Sequence, residues 1–141
     1  GWHDKPVPEN VRILGHVGTA DHNAFNVTPK AVLNISRESM AENGYSPATR
    51  VFEAAGAGAC LITDAWVGIE SFLKPGEEVL VARDGDDVAA ILSELTPDRA
   101  TAIGAQALDR VTREHTYAHR AEEADRIFRR LAGRTNAEAA E

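Results

Sequence analysis

Cysteine, aromatic residues, basic residues and long apolar runs are all scarce in this chain of 141 residues. The single cysteine, Cys60, excludes a disulfide or a cysteine metal cluster within one chain, and this favours a reducing cytoplasm. No apolar run approaches the roughly 18 residues of a membrane span, and the first residues do not form a signal peptide. We therefore expect a cytoplasmic protein without an integral membrane segment.

Positive charge is also in short supply, because 15 Lys and Arg stand against 22 Asp and Glu, for a formal net charge of -7. A broad surface for nucleic acid or acidic lipid needs an excess of basic groups. We therefore expect no nucleic-acid partner, and any anionic ligand has to be held by local groups.

The apolar content, 43% of the residues, is enough for one domain with a real core. We expect that domain to cover residues 1–133 and to be Rossmann-like, with a disordered tail over residues 134–141. The chain opens without methionine, in a polar segment that holds Pro6 and Pro8. This indicates a fragment of a larger protein whose preceding strand is missing.

The segment of residues 46–64 carries the clearest signals in the chain, for a helix followed by a buried strand. Ser46 can cap a helix that has Pro47 in its first position, because the serine oxygen accepts an orphan N–H and proline has no donor to lose there. Gly58 can end this helix, and residues 59–63 form an apolar run typical of a buried strand. Such strands usually lie in parallel sheets covered on both faces.

Short apolar runs at residues 11–17, 31–35 and 78–82 predict further strands, and residues 21–25 predict a short helix. The last third reads as three helices. Asp84 to Asp87 are expected to supply the cap of the first, and Thr96 and Thr116 the caps of the second and third; the last helix is expected to stop at Gly133. The alternation predicts an α/β fold with a doubly wound, Rossmann-like parallel sheet flanked by helices, followed by a helical C-terminal segment.

Two features of the central segment point to a ligand. A helix that begins at a loop with Gly44 and Ser46 offers free N–H groups and the positive end of its dipole, which suits a phosphate. Glu53, inside that helix among apolar residues, needs a partner. Hydroxyl groups of a ligand are one candidate, and Arg50, three residues earlier, is the other.

Two histidines near the end of the chain, His115 and His119, stand one turn apart. This spacing can serve a metal, but no third ligand lies nearby, so a structural role is favoured. Cys60 is interpreted as a small core side chain. Asp64, at a strand end, is left open as a helix cap, a turn residue or a cleft-facing acid.

The segments RVFEAAGAG and EHTYAHR carry a resemblance to a known family. Residues 11–131 resemble the C-terminal domain of group 1-like glycosyltransferases of the GT-B type, in particular the CgeB-like spore maturation branch. The resemblance implies two Rossmann-like domains that face each other across a cleft. The C-terminal domain holds a UDP- or GDP-linked sugar donor, and a missing N-terminal domain supplies the acceptor site. It also implies no cofactor and no metal, since basic groups and a helix dipole offset the diphosphate charge.

Individual roles follow from the same resemblance. Glu53 matches the glutamate that accepts hydrogen bonds from the nucleotide ribose, and His16 lies in the turn where the base packs. The remaining positions match the diphosphate region, through backbone amides or positive charge: Gly44, Tyr45, Ser46, Pro47, Arg37 and Arg50.

The chain departs from the family pattern at one position. Related retaining transferases often carry a second glutamate about two helical turns before the ribose-binding one, and Tyr45 occupies that position here. The sugar-facing carboxylate is therefore absent or moved, and the catalytic residues and stereochemical outcome stay open. The alternative function is a non-catalytic Rossmann-like module used for interaction or regulation.

Overall fold

The computed structural model describes residues 6–138, with side chains described up to residue 132. Within the described residues, two short 3-10 helices, Thr19–Asp21 and Ile69–Ser71, accompany the main elements. In chain order these are α1 His22–Val27, β1 Val32–Asn34, α2 Glu38–Asn43, α3 Thr49–Gly56, β2 Leu61–Asp64, β3 Leu80–Ala82, α4 Gly85–Glu94, α5 Pro97–Glu114 and α6 Tyr117–Glu138.

The sheet is parallel, with the strands in the order β1-β2-β3. Asn34 of β1 pairs with Thr63 of β2, and Ile62 of β2 pairs with Leu80 of β3. Parallel neighbours need a crossover between them, and α3 supplies the one between β1 and β2. The predicted α/β fold with a parallel sheet, flanking helices and a helical C-terminal segment is confirmed.

Successive residues of β2 face opposite sides of the sheet, and each side has its own apolar core. Leu61 packs in a cluster with Val51 and Ala55 of α3 and Ala107 of α5. Ile62 and Cys60 belong to a second cluster with Leu95, Ala100 and Ile103. The sheet is therefore covered on both faces, and Cys60 is a buried core side chain as predicted.

The predicted caps of the last three helices are confirmed, including Thr116, whose hydroxyl accepts a hydrogen bond from the His119 N–H at 3.5 Å at the start of α6. The Asp84 carboxylate accepts a hydrogen bond from the Asp87 N–H at 2.9 Å, and the Thr96 hydroxyl accepts one from the Arg99 N–H at 3.2 Å, directly before Pro97. Each cap satisfies one of the N–H groups that a helix start leaves without a partner. At these helix starts, the local sequence alone is sufficient to predict where the helix begins.

The predicted strand at residues 11–17 is wrong, because residues 11–18 have no regular secondary structure. Val11, Ile13 and Leu14 are exposed. A strand needs a neighbour to pair its backbone groups, and within residues 6–138 the sheet contains only β1, β2 and β3. Among the described residues the run forms no ladder with the edge strand β1; Leu14 and Val17 instead line a cavity of about 770 Å³ together with Val32 and Leu33 of that strand.

The predicted start of the central helix is also wrong. α3 begins at Thr49 after Ala48, and no side chain caps it, so Ser46 is not the cap and Pro47 is not the first helical residue. The reason is a tertiary contact. The Tyr45 N–H donates to the Val67 carbonyl at 2.7 Å, and Tyr45 adopts a left-handed conformation with φ 48. This contact holds the loop against the segment after β2 in a non-helical conformation, so the helix starts only at Thr49.

At the other end of the chain, α6 does not stop at Gly133 but continues to Glu138. Glycine inside a helix costs only about 1 kcal/mol relative to alanine, which the rest of a long helix can offset. Residues 134–138, expected to lie in a disordered tail, are therefore helical, and residues 139–141 lie outside the described part of the chain.

Candidate functional site

Hydrogen bonds between polar groups link the carboxyl-terminal ends of β1 and β2. The Asp64 carboxylate accepts hydrogen bonds from the Ser36 N–H at 2.9 Å and from the Thr63 hydroxyl at 3.2 Å. The Asn34 side-chain amide donates to Thr63 at 3.2 Å. Of the roles left open for Asp64, it acts as the acceptor that joins the turn after β1 to β2, although it also borders a cavity of about 290 Å³.

The loop before α3 is closely packed against the segment that follows β2. Gly44 is buried, and a Cβ at this position would lie 3.1 Å from the Cβ of Val67. The Tyr45 N–H is already bonded to Val67, so this amide is not free for a phosphate. Ser46 and Pro47 are half-buried.

Glu53 is exposed on α3 rather than enclosed by apolar side chains. Among the described residues it forms neither a side-chain hydrogen bond nor an ion pair, and the alternative partner Arg50 does not bind it. The Glu53 carboxylate is therefore available to a ligand.

A cavity of about 490 Å³ lies between α3 and the turn that joins α5 to α6. We call it the Glu53 cavity. Its lining residues are Pro47, Thr49, Phe52, Glu53, His115, Thr116, Tyr117 and Arg120. It thus brings a carboxylate, a guanidinium, an imidazole and a phenol to one place.

His115 is held in a fixed orientation in this cavity. Its ring packs 5.9 Å from the Phe52 ring and 5.8 Å from the Phe72 ring, measured between centroids. Its Nε2 lies 3.0 Å from the Phe72 carbonyl oxygen, and its Nδ1 lies 2.7 Å from Nη2 of Arg120. Because arginine only donates, Nδ1 accepts and Nε2–H donates, so the imidazole is neutral.

The contacts of both histidines support the predicted structural role. The His119 Nδ1 lies 2.7 Å from the Thr116 hydroxyl, at the start of α6. Over the described part of the chain, no three His, Cys, Asp or Glu side chains come together in a way that could hold a metal ion.

The neutral His115 ring makes stability depend on pH. Burial, followed by the charge of Arg120, lowers its pKa below the ordinary 6.5. The unfolded state, with the higher pKa, binds more protons in the window between the two values, so stability is complete above about pH 6.5 and falls as the pH drops below it. We expect the melting temperature to fall between about pH 7.5 and about pH 5.5.

The matched variant for this experiment is His115→Phe, which keeps an aromatic ring between Phe52 and Phe72 but cannot be protonated. It should show a smaller loss of melting temperature over the same pH range. An equal loss in the variant and the parent would show that other groups cause the pH dependence.

A second cavity, of about 770 Å³, brings together two other predicted residues, His16 and Arg50. We call it the Arg50 cavity. Asp21 and Phe25 also line it, as does β1 through Val32 and Leu33. Arg50 and Glu53 lie three residues apart on α3, a spacing that places them side by side on a helix. The two cavities therefore adjoin neighbouring positions of one helix.

The predicted site residues do not all meet in one place. Glu53 and Pro47 line the Glu53 cavity, whereas Arg50 and His16 line the Arg50 cavity. Arg37 is exposed at the start of α2 and lines neither. His115, Tyr117 and Arg120 were not predicted as site residues. The EHTYAHR segment contains all three, but only the fold places them opposite Glu53.

The parallel sheet covered by helices on both faces defines an α/β domain, and its similarity to known proteins supports a domain of the GT-B type. The model of the family described as "Glycosyl transferase-like" matches residues 1–126, and the chain belongs to this family. A solved structure, sucrose-phosphate synthase from Thermosynechococcus elongatus, is similar with a TM-score of 0.53 and 21% sequence identity. The match covers 62% of this chain and 23% of that one, so the chain spans less than a quarter of its solved relative.

A search of curated proteins gives no match. Within the described residues, no helix combines the length and the apolar character needed to cross a membrane.

Proposed function

We propose that this chain is the donor-binding, C-terminal half of a cytoplasmic glycosyltransferase of the CgeB-like branch. It binds a UDP- or GDP-linked sugar, and the acceptor is bound by an N-terminal domain of the same protein. The observation that carries the proposal is Glu53, an exposed carboxylate without a protein partner on the wall of a cavity of about 490 Å³. Membership of the family supports it.

The surroundings of Glu53 suit a nucleoside diphosphate. An ionised carboxylate accepts strong hydrogen bonds from neighbouring hydroxyls, such as those of a ribose. Thr49, the first residue of α3, lines the same cavity, so the positive end of the α3 dipole lies near the place that a diphosphate would occupy. Basic groups and this dipole offset the leaving-group charge, and the mechanism that we propose needs no metal.

The proposal is tested by thermal unfolding of the 141-residue chain with UDP and with GDP. A ligand that binds only the folded state, at about 100 times its Kd, adds about 2.7 kcal/mol to stability. We therefore expect one of the two nucleotides to raise the melting temperature by several degrees, and Glu53→Ala to abolish the rise. The matched control is Glu122→Ala, which removes an exposed glutamate of α6 that lines neither cavity.

The non-catalytic alternative is favoured by Tyr45, which stands where relatives carry the second glutamate and whose N–H is bonded to Val67. In that case the scaffold is kept as an interaction surface. A chain whose melting temperature responds to neither nucleotide would support this alternative and contradict donor binding.

A further inference from the structure

We infer that Arg120, in the first turn of α6, is the second ligand-binding group of the Glu53 cavity. It binds the phosphate end of a nucleoside diphosphate whose sugar hydroxyls are bound by Glu53. The inference rests on the proposed function and adds to it a residue and a division of labour between the two charges.

The first argument is that Glu53 and Arg120 line one cavity but do not pair. Oppositely charged side chains form an ion pair when their N and O atoms come within 4 Å, and among the described residues Arg120 pairs with Glu123 and not with Glu53. A space of about 490 Å³ with a carboxylate and a guanidinium on its walls fits a ligand with donors at one end and an anion at the other.

The second argument is that Arg120 is held in position before any ligand arrives. Its Nη2 donates to His115 Nδ1 at 2.7 Å, and its Nη1 donates to the Glu123 carboxylate at 3.3 Å. His115 is itself fixed by the Phe72 carbonyl and by the rings of Phe52 and Phe72. A guanidinium has five N–H donors, so donors remain for a phosphate, and little side-chain entropy is lost on binding.

The third argument concerns the helix ends around the cavity. Thr49 is the first residue of α3, and Tyr117 is the first residue of α6. The positive ends of both helix dipoles therefore add to the charge of Arg120. Tyr117 is 90% exposed, so its ring is free to stack on the base or sugar of the same ligand.

The experiment is isothermal titration of the 141-residue chain with UDP, GDP, uridine, guanosine and pyrophosphate. For Arg120→Gln we expect at least about a tenfold weaker affinity for the bound diphosphate, since a hydrogen bond to a charged group is worth about 1.5–3 kcal/mol. The affinity for the corresponding nucleoside should stay unchanged. Glu53→Ala should weaken both, because the sugar hydroxyls are common to the two ligands.

Arg129→Gln is the matched control, because Arg129 is an exposed arginine of α6 that pairs with Asp125 and lines neither cavity. Arg120→Lys, which keeps the charge without the planar fork, should lie between the parent and Arg120→Gln, and it serves if Arg120→Gln does not fold. Pyrophosphate shows whether Arg120 binds phosphate without a nucleoside, and its binding should weaken in Arg120→Gln.

His115 is a positioning residue in this scheme: it holds the Arg120 side chain in place, and the Arg120 guanidinium, not His115, contacts the ligand. His115→Phe should weaken the diphosphate several-fold and leave the nucleoside unchanged, a selectivity that general destabilisation would not produce. If Arg120→Gln bound the diphosphate as tightly as the parent while Glu53→Ala lost it, the inference would fail and the proposed function would stand. A parent chain that bound neither diphosphate would overturn both.

Discussion

Gly104→Ala is expected to lower the free energy of unfolding by about 3 kcal/mol, the upper end of the usual cost of overpacking, because α5 crosses the chain at this residue with no room for a side chain. A Cβ there would lie 2.8 Å from the carbonyl carbon of Gly58, closer still to its oxygen, and 3.1 Å from the carbonyl carbon of Ala59. These are backbone atoms at the start of the β2 segment, so no rotamer change relieves the clash. The free energy of unfolding of a domain is typically about 5–15 kcal/mol, so the variant loses a large share of its stability.

Urea unfolding followed by circular dichroism measures this effect. The matched control is Gly56→Ala at the end of α3, where a Cβ would meet no atom within 4 Å. Since alanine favours a helix over glycine by about 1 kcal/mol, the control should be neutral or slightly stabilised. If both variants unfolded at the same urea concentration, the close approach of α5 to Gly58 would not be present in solution.

Leu61→Ala is expected to cost about 2–5 kcal/mol, the usual range when a buried leucine is cut back and leaves a cavity. Leu61 lies on the central strand β2 and is 0% exposed. It shares its cluster with Val51, Ala55 and Ala107, from the two helices that cover this face of the sheet. Rigid backbone on both sides limits how far the site can collapse.

The control for the second variant is Leu92→Ala, since Leu92 lies on α4 and is 39% exposed. It should cost about 1 kcal/mol or less, because a surface side chain loses little burial. Both leucine variants are unfolded in urea, and the dependence of the unfolding free energy on urea concentration (the m value) is compared with that of the parent. A changed m value would indicate a change in the unfolded state. Equal losses in the two leucine variants would contradict the core assignment of Leu61.

The elements predicted correctly are those whose signals are local. The caps at Asp84 and Thr96 each act within three residues, and the apolar run at residues 59–63 is long enough to indicate a buried strand. Predictions failed where a distant partner decides. The hydrogen bond between Tyr45 and Val67 holds the loop so that Ser46 does not cap the helix, and in the described part of the chain residues 11–17 form no ladder with the edge strand β1.

In the candidate site, too, local sequence signals predicted one part and contacts between distant segments decided the rest. Glu53 was predicted from its place in the central helix and from the resemblance that the RVFEAAGAG segment carries. Its availability, without a partner on a cavity wall, is visible only in the structure. Arg120 and His115 come from a segment more than sixty residues away along the chain, and nothing in their own spacing indicates that they face Glu53.

By itself the sequence determined that this is an α/β domain with a parallel sheet, helical at its C-terminal end and of the glycosyltransferase type, because apolar periodicity, caps and family motifs are properties of short segments. Only the tertiary structure decided which polar groups share a cavity and which are already bonded. The physical reason is that α3 and the α5–α6 turn meet across the folded core, where Phe52 and Phe72 hold His115 and His115 in turn holds Arg120 opposite Glu53.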